Sequence, residues 1–454
     1  MKSSISNRST LRRSVLGALL LLSFPTVVEE IMSILLQYVD TAMVGRIGEK
    51  ATAAVSTTTT INWLVGCVPH AIGVSVMALT SRANGSGDEK MCRKITAHAT
   101  RLTLIYGSIL TLLCVILSPF IPIWMRAETD VRSEASMYFA IISMSMLFRT
   151  GSIVFATSIR AVKDTKTPML INLAANVLNA GLNYLLIYTA GLGVKGAAIA
   201  TLISYTLAGI AMFIVMRRKN ILRWDKEDSI KDKSLLKEIY RIGLPSFGGG
   251  AASCLGYVVF AGMVSGMGTT IFAAHSIAVE AETLFYIPGY GFRTATSSLI
   301  GNALGEKDSE NVDVTQKLSI LITVSAMVVS GIVLFLVARP LMSIFTDSER
   351  VIELGAMALR LVAFTEPFFG LMVVMEGIFN GEGRTQEVFV VETASMWGIR
   401  ILSTFLCVVV WGFGLKQVWY CMIADNIFKA VMLFVLFLRR KRRISGKEEV
   451  KGYV

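Results

Sequence analysis

Apolar runs of about 20 residues recur from end to end of the chain, separated by short polar intervals. As helices, such runs are long enough to cross about 30 Å of hydrocarbon. The pattern predicts about twelve spans, at 14–43, 53–80, 96–119, 135–159, 168–189, 192–216, 238–265, 272–300, 317–338, 352–379, 387–411 and 415–438. The first, eighth and tenth rest partly on an internal repeat. The longest polar interval, Arg217 to Arg241, divides the spans into two equal sets. Its end, KSLLKEIYRIG, reads as an amphipathic surface helix leading into the seventh span. The expected organisation is therefore an N-terminal lobe over 1–220, a cytoplasmic linker over 221–237, and a C-terminal lobe with a basic tail over 238–454.

Laying one half on the other gives matches at an offset of about 220. Pro25 falls on Pro245, Gly48 on Gly268, Ala53-Ala54 on Ala273-Ala274, Ala83 on Ala303, Gly85 on Gly305 and Asp88 on Asp308; Pro69 pairs with Pro288, one residue short. Farther on, Gly191 to Lys195 (GLGVK) matches Gly412 to Lys416 (GFGLK). An even number of spans per repeat starts both halves on the same side, a parallel repeat. That predicts two bundles with a cleft between them, as in transporters that expose one site to each side in turn. Both termini then lie inside.

Composition agrees with a membrane protein: 54% of residues are hydrophobic and 17% charged, where soluble chains carry about a quarter charged. A net charge of +12 could suggest nucleic acid, but its distribution argues against that. Cytoplasmic segments hold roughly thirty Lys and Arg against about eight outside. The richest are Arg217-Arg218-Lys219 through Arg241, and Arg439 to Arg443. Cys67, Cys92, Cys114, Cys254, Cys407 and Cys421 are scattered, and His70, His98 and His275 lack ligand spacing, so neither a disulfide framework nor a metal site is expected. Arg12-Arg13 before an apolar run resembles a secretion signal, but no small-residue cleavage pattern follows and the run continues into a first span.

That first span carries Glu29, Glu30 and Asp40, with Pro25 placed to bend it. A carboxylate in hydrocarbon costs from about 2.5 to over 10 kcal/mol, so these acids are expected to face a polar cavity. Pro25, Asp40, Val44-Gly45, Gly48 and Ala53-Ala54 together resemble the first-span signature of the multidrug and toxic compound extrusion (MATE) transporters. GLPS at 243–246, AAH at 273–275, PGYGF at 288–292, GNALGEKD at 301–308 and the asparagines Asn172, Asn176, Asn179 and Asn183 resemble it too. The resemblance implies an all-α polytopic membrane protein, with twelve helices in two pseudo-symmetric six-helix bundles around a V-shaped central cavity. It also implies export of cationic, amphipathic compounds in exchange for protons or sodium ions. By position, Asp40 matches the coupling carboxylate, and Asn179 and Asn183 its hydrogen-bonding partners. Asn183 stands where some members have a second aspartate. The span-seven glutamate and tenth-span aspartate of some sodium-coupled members fall near Ser253 and Phe369, so neither is retained.

A coupling Asp must have its pKa, near 4 when isolated, raised by burial by roughly 2–4 units. Tyr38, Asn179 and Asn183 are the expected neighbours of Asp40. Neutralising it would change the packing of the first span, where Pro25 leaves a backbone hydrogen bond unmade; Pro245 is its counterpart in the seventh. Glu29 and Glu30 point about 100° apart. The open readings are that one attracts a cationic substrate while the other pairs with an Arg or faces the cytoplasmic opening. Glu280, Glu282, Glu366 and Glu376 have two readings: internal charge compensation or a cation-attracting site in the second lobe. Asp425 and Lys429 have the spacing of an internal ion pair. Trp63 and Tyr38 are the aromatic candidates for cavity contacts.

No GxxxxGK[ST] loop occurs, so transport is expected to run on a gradient rather than ATP. The resulting reading is a monomeric inner-membrane antiporter for organic cations, driven by protons or sodium, with no cofactor, no metal site and no nucleic-acid partner. The alternative is a flippase for a lipid-linked saccharide or peptidoglycan precursor, which would need basic cavity residues for a pyrophosphate. An enzyme would need a nucleophile–base pair or a metal cluster, and neither pattern occurs. A channel remains open, and saturable, counter-ion-dependent flux is what separates it from an antiporter.

Overall fold

A computed structural model describes the backbone of residues 2–228 and 232–451, and the side chains of 9–228 and 232–442. Residues 229–231 of the expected linker and the side chain of Arg443 in the basic tail lie outside the described residues. The described residues form helices and connecting turns, with no strand among them. The first part comprises α1 (Lys2–Gly45), α2 (Glu49–Gly85), α3 (Glu89–Leu117), the short α4 (Ile121–Trp124), α5 (Arg132–Ser143), α6 (Met146–Ala161), α7 (Lys166–Asn183) and α8 (Gly193–Arg218). There follow α9 (Lys233–Ser265), α10 (Thr269–Gly305), α11 (Ser309–Phe345), α12 (Glu349–Ala363), α13 (Glu366–Gly381), α14 (Thr385–Ser395), the single turn α15 (Leu402–Thr404) and α16 (Leu415–Lys451). Wider π-helical turns continue α7 over Tyr184–Thr189 and join α14 to α15 and beyond over Met396–Ile401 and Phe405–Val410.

Nine of these helical stretches are long and apolar enough to cross a membrane, among the described residues. Two more crossings are bent pairs: α5 with α6 turns by 47°, and α12 with α13 by 58°. With α10, which is 37 residues long but carries more polar residues, these make the twelve expected passes. The breaks do not fall at the prolines chosen from the sequence. α1 runs unbroken through Pro25, α9 through Pro245 and α10 through Pro288. A proline removes one hydrogen bond from a helix and leaves it bendable without ending it. The sharper break before α13 has Pro367 at that helix's first turn, where the missing N–H has no helical partner to lose.

The repeat is visible in the backbone. The π-helical turn Tyr184–Thr189 has its counterpart in Phe405–Val410, each followed by a glycine with positive φ, Gly191 (67°) and Gly412 (64°). The positive-φ pairs Gly48 and Gly268, Gly87 and Lys307, and Lys163 and Gly383 stand at the same offset of about 220.

The chain folds into two compact units. One is Phe24–Gly250 with Gly301–Ser309; the other is α1 up to Ser23, Ala251–Ile300, and the chain from Glu310 onward. The N-terminal unit packs Ile72, Val76, Leu79, Ile95, Val154, Ile159 and Met212 into a core that also takes in Leu222, Leu235, Ile239 and Ile242. The polar interval between the two halves is thus tied down by its apolar face, while Lys237 and Arg241 stay exposed. Ser75 of α2 donates to the Ile239 carbonyl at 2.8 Å, and the Tyr106 and Tyr240 hydroxyls meet at 3.0 Å. In the same unit the ends of α2 and α10 cross backbone to backbone. A Cβ on Gly85 would sit 1.9 Å from the Asn302 carbonyl oxygen, and one on Gly305 2.0 Å from that of Arg82. Asn84 donates to the Asn302 side chain at 2.6 Å beside them. The C-terminal unit has its own core, with Phe260, Val264, Leu334, Met342, Leu359 and Trp419 fully or almost fully buried.

Candidate ion-coupling site

α7 starts at a side-chain cap. Asp164 accepts from the Thr167 N–H at 3.0 Å and from its hydroxyl at 2.7 Å, satisfying donors that a helix N-terminus leaves open. From there Asn172, Asn176, Asn179 and Asn183 recur at spacings that keep them on one face. Asn183 is fully buried. Its side-chain amide donates to Asp40 Oδ1 and, at 3.2 Å, to Asn179 Oδ1. Asn179 donates in turn to Thr201 Oγ1 of α8 at 3.4 Å, and Thr201 donates to the Ala197 carbonyl at 3.0 Å. Both N–H groups of the Asn183 amide are used, whereas its buried Oδ1 has no hydrogen-bond partner among the described residues. Asp40 is half-buried on α1 and no ion pair holds it among the described residues.

Three turns lower on α1, Glu29 is held in a different way. Arg160, at the end of α6, reaches both carboxylate oxygens at 2.7 and 2.8 Å, and Asn172 donates to Oε1 at 2.5 Å. Glu29 and Arg160 side chains are 12% and 16% exposed, so this is a charge-assisted, largely desolvated contact. Each Asn–acid pair is separated by the same 143 residues. α1 and α7 therefore run side by side in one register from Glu29 to Asp40. A third rung closes the series, with Tyr188 donating to the Met43 carbonyl at 2.8 Å.

The C-terminal unit carries a denser buried set. Asp425, wholly buried, accepts from Ser395 at 2.5 Å and pairs with Arg400 at 2.8 Å and Lys429 at 2.9 Å. Glu376 pairs with Arg293 at 3.0 Å, and Arg293 lies over the Tyr290 ring at 4.9 Å. Glu282 accepts from Tyr286, whose ring stacks on Phe369 at 3.8 Å. Glu366, at the break before α13, is fully buried, and neither carboxylate oxygen has a hydrogen-bond partner among the described residues. Gly331 lets α11 approach it: a Cβ there would lie 3.1 Å from the Glu366 Cβ. No group of three His, Cys, Asp or Glu stands where it could hold a metal ion, among the described residues.

A family model described as MatE matches residues 25–185 and, again, residues 245–406. The chain belongs to the MatE family. A probable multidrug resistance protein, NorM, of Thermotoga maritima is 28% identical over 442 residues, covering 95% of both chains. Human multidrug and toxin extrusion protein 1 is 25% identical over 440 residues, covering 95% of this chain and 76% of its own. A Vibrio cholerae MATE transporter superposes with a TM-score of 0.90 at 18% identity, over 96% of this chain and 98% of that one.

For this MatE protein the structure brings together Asp40, Asn183 and Asn179, and separately Glu29 with Asn172. Glu30 and Tyr38 are half-buried nearby on α1. Trp63 is 46% exposed and Glu280 is exposed, so neither joins the buried sets. Glu282 and Glu366 share one buried region, while Glu376 is taken up by Arg293. Arg400 pairs with Asp425. Sequence reasoning missed Arg160 and Thr201. Arg160 closes an apolar run 131 residues from Glu29, and no local spacing links the two.

Proposed function

We propose that the chain is a secondary antiporter exporting cationic or amphipathic organic compounds in exchange for protons, with Asp40 as the coupling group. Membership of the MatE family and the multidrug resistance and extrusion names of its relatives support the transport class. One observation carries the site. Of two acids on one face of α1, Glu29 is already neutralised by an arginine, whereas Asp40 takes its hydrogen bond from the neutral Asn183 amide and has no ion pair among the described residues. A carboxylate held by a neutral amide can gain and lose a charge without stranding a buried cation. As a carboxylate, Asp40 draws the Asn183 N–H strongly; neutralised, it is a weaker acceptor, and α1 is freer to leave α7. Each inward charge supplies about 2.3 kcal/mol per 100 mV of membrane potential.

Sodium is the second reading, favoured by the lone buried Oδ1 of Asn183 beside the Asp40 and Asn179 oxygens. Oxygen donors of this kind suit a hard cation. Of the candidate glutamates in the C-terminal unit, Glu366 and Glu282 are the buried ones without an ion pair among the described residues, since Glu376 is paired. A flippase finds little support here: Arg160, Arg293 and Arg400 each sit on a carboxylate, and Arg149 lies over the Tyr205 ring rather than beside another arginine that could help hold a pyrophosphate. The expected setting is the cytoplasmic membrane, as a monomer with both termini inside.

The test is efflux of an organic cation dye from proteoliposomes with proton and sodium gradients imposed separately. A proton gradient alone should drive efflux, and Asp40→Asn should reduce it to the level of protein-free vesicles. Efflux by Asp40→Asn equal to the parent chain would remove Asp40 from the mechanism, and efflux on sodium alone would establish the second reading.

A further inference from the structure

The contact that sequence reasoning missed sits where a lever would need its support. Pro25 leaves the helix below it short of one backbone hydrogen bond, so α1 is weakest between its own turn and the turn before. Glu29 lies one turn above Pro25. There it is bound by two elements at once, by Arg160 from α6 through both oxygens and by Asn172 from α7. Glu29 to Asp40 spans eleven residues, about 16 Å of helix, and the rungs above it are of a weaker kind. At Asp40 the donor is a neutral amide, and at Met43 a single tyrosine hydroxyl.

A helix segment free at both ends can translate, tilt or rotate in response to a lost contact. Pinned at its base by a desolvated ion pair, it can only swing about that pin. We propose that the Glu29–Arg160–Asn172 cluster is the fulcrum of α1, confining the movement that follows neutralisation of Asp40 to the segment above residue 29. This rests on the proposed role of Asp40 and assigns Glu29, Arg160 and Asn172 as positioning residues, distinct from the group that takes the ion. Asp40 is within electrostatic reach of Tyr138 on α5, which also feels Arg149 of α6 and Tyr205 of α8. Glu29 faces Arg160, with Glu30 beside it on its own helix.

Spin-label distances in lipid nanodiscs test this, in a full chain whose native cysteines are replaced by serine and which retains efflux. One label pair joins Val39→Cys on upper α1 to Leu104→Cys on α3; the other joins Ile31→Cys, just above the pin, to the same α3 site. These positions are all more than a third exposed. On acidification from about pH 8 to about pH 5, the upper distance should shift and the lower one hold. Asp40→Asn should fix the upper distance at its acid value throughout. In Glu29→Gln and in Arg160→Gln the lower distance should begin to shift with pH as well. The exchange Glu29→Arg with Arg160→Glu, which restores the pair, should still it again. A lower distance that stays constant in both single variants overturns the fulcrum while leaving Asp40 its role. An upper distance insensitive to pH in the parent chain overturns the reading on which the fulcrum rests.

Discussion

Asp425 stands between two cations, and that asymmetry separates two substitutions that look alike. Asp425→Asn takes from the buried Arg400 and Lys429 the one carboxylate that pairs with both, whereas Lys429→Met leaves the Arg400–Asp425 pair intact at 2.8 Å. Removing one partner from a buried pair costs about 3–5 kcal/mol. Thermal unfolding in detergent should therefore show a large loss for Asp425→Asn and a clearly smaller one for Lys429→Met. Contacts of this kind were legible where partners share a helix. The i,i+4 spacing of Asp425 and Lys429 announced their pairing, and the asparagine series on α7 announced one polar face. Pairing across helices left no trace in local spacing. Arg160 reads as the polar end of an apolar run until α6 brings it to Glu29, and Asn172 was visible as a motif member without a role.

α7 depends on its first turn as much as on its asparagine face. Asp164 caps it through Thr167; burial opposes the charge, but Lys219 at 2.7 Å and the Thr167 bonds hold its carboxyl below the usual range. A folded pKa below the unfolded value, about 3.9, means the cap's contribution is fully present above that value. It is lost as pH falls through the folded value. Protection of the first-turn amides of α7, measured relative to their intrinsic exchange at each pH, should therefore fall on strong acidification, and in Asp164→Asn it should be lower at neutral pH with much less dependence on acid. Most elements could be placed from apolar runs alone, because span length is set by the bilayer. Their interruptions could not. The span expected over 135–159 is broken at Met144 and Ser145, where no proline or glycine signals it. Pro367 stands at the break before α13, though the sequence reads as one run over 352–379, while Pro25, Pro245 and Pro288 sit inside continuous helices.

Across the whole molecule, the halves defined by the repeat and the units defined by packing divide the chain differently. The repeat splits it in the polar interval after α8, but Lys233 to Gly250 belongs with the N-terminal unit. Leu235, Ile239 and Ile242 lie 6%, 2% and 2% exposed in that unit's core. A chain ending at residue 228 lacks them, so expressed alone it should be degraded or aggregate. Co-expression with 232–454 should restore membrane-inserted protein, as measured by protease resistance. The repeat could be read from the sequence because Gly and Pro sit where the backbone turns. The reassignment of the interval could not: the spacing of Leu235, Ile239 and Ile242 shows an amphipathic helix, but not which unit takes its apolar face.

The paired π-helical turns at Tyr184–Thr189 and Phe405–Val410 bear on ancestry. An extra residue in a helix rotates everything beyond it, so acquiring one at the same place twice would require two independent repackings. A single origin before the gene doubled is the simpler history. On that history the irregularity and its glycine exit are older than the doubling, and the unpaired π-helical turn at Met396–Ile401 is younger.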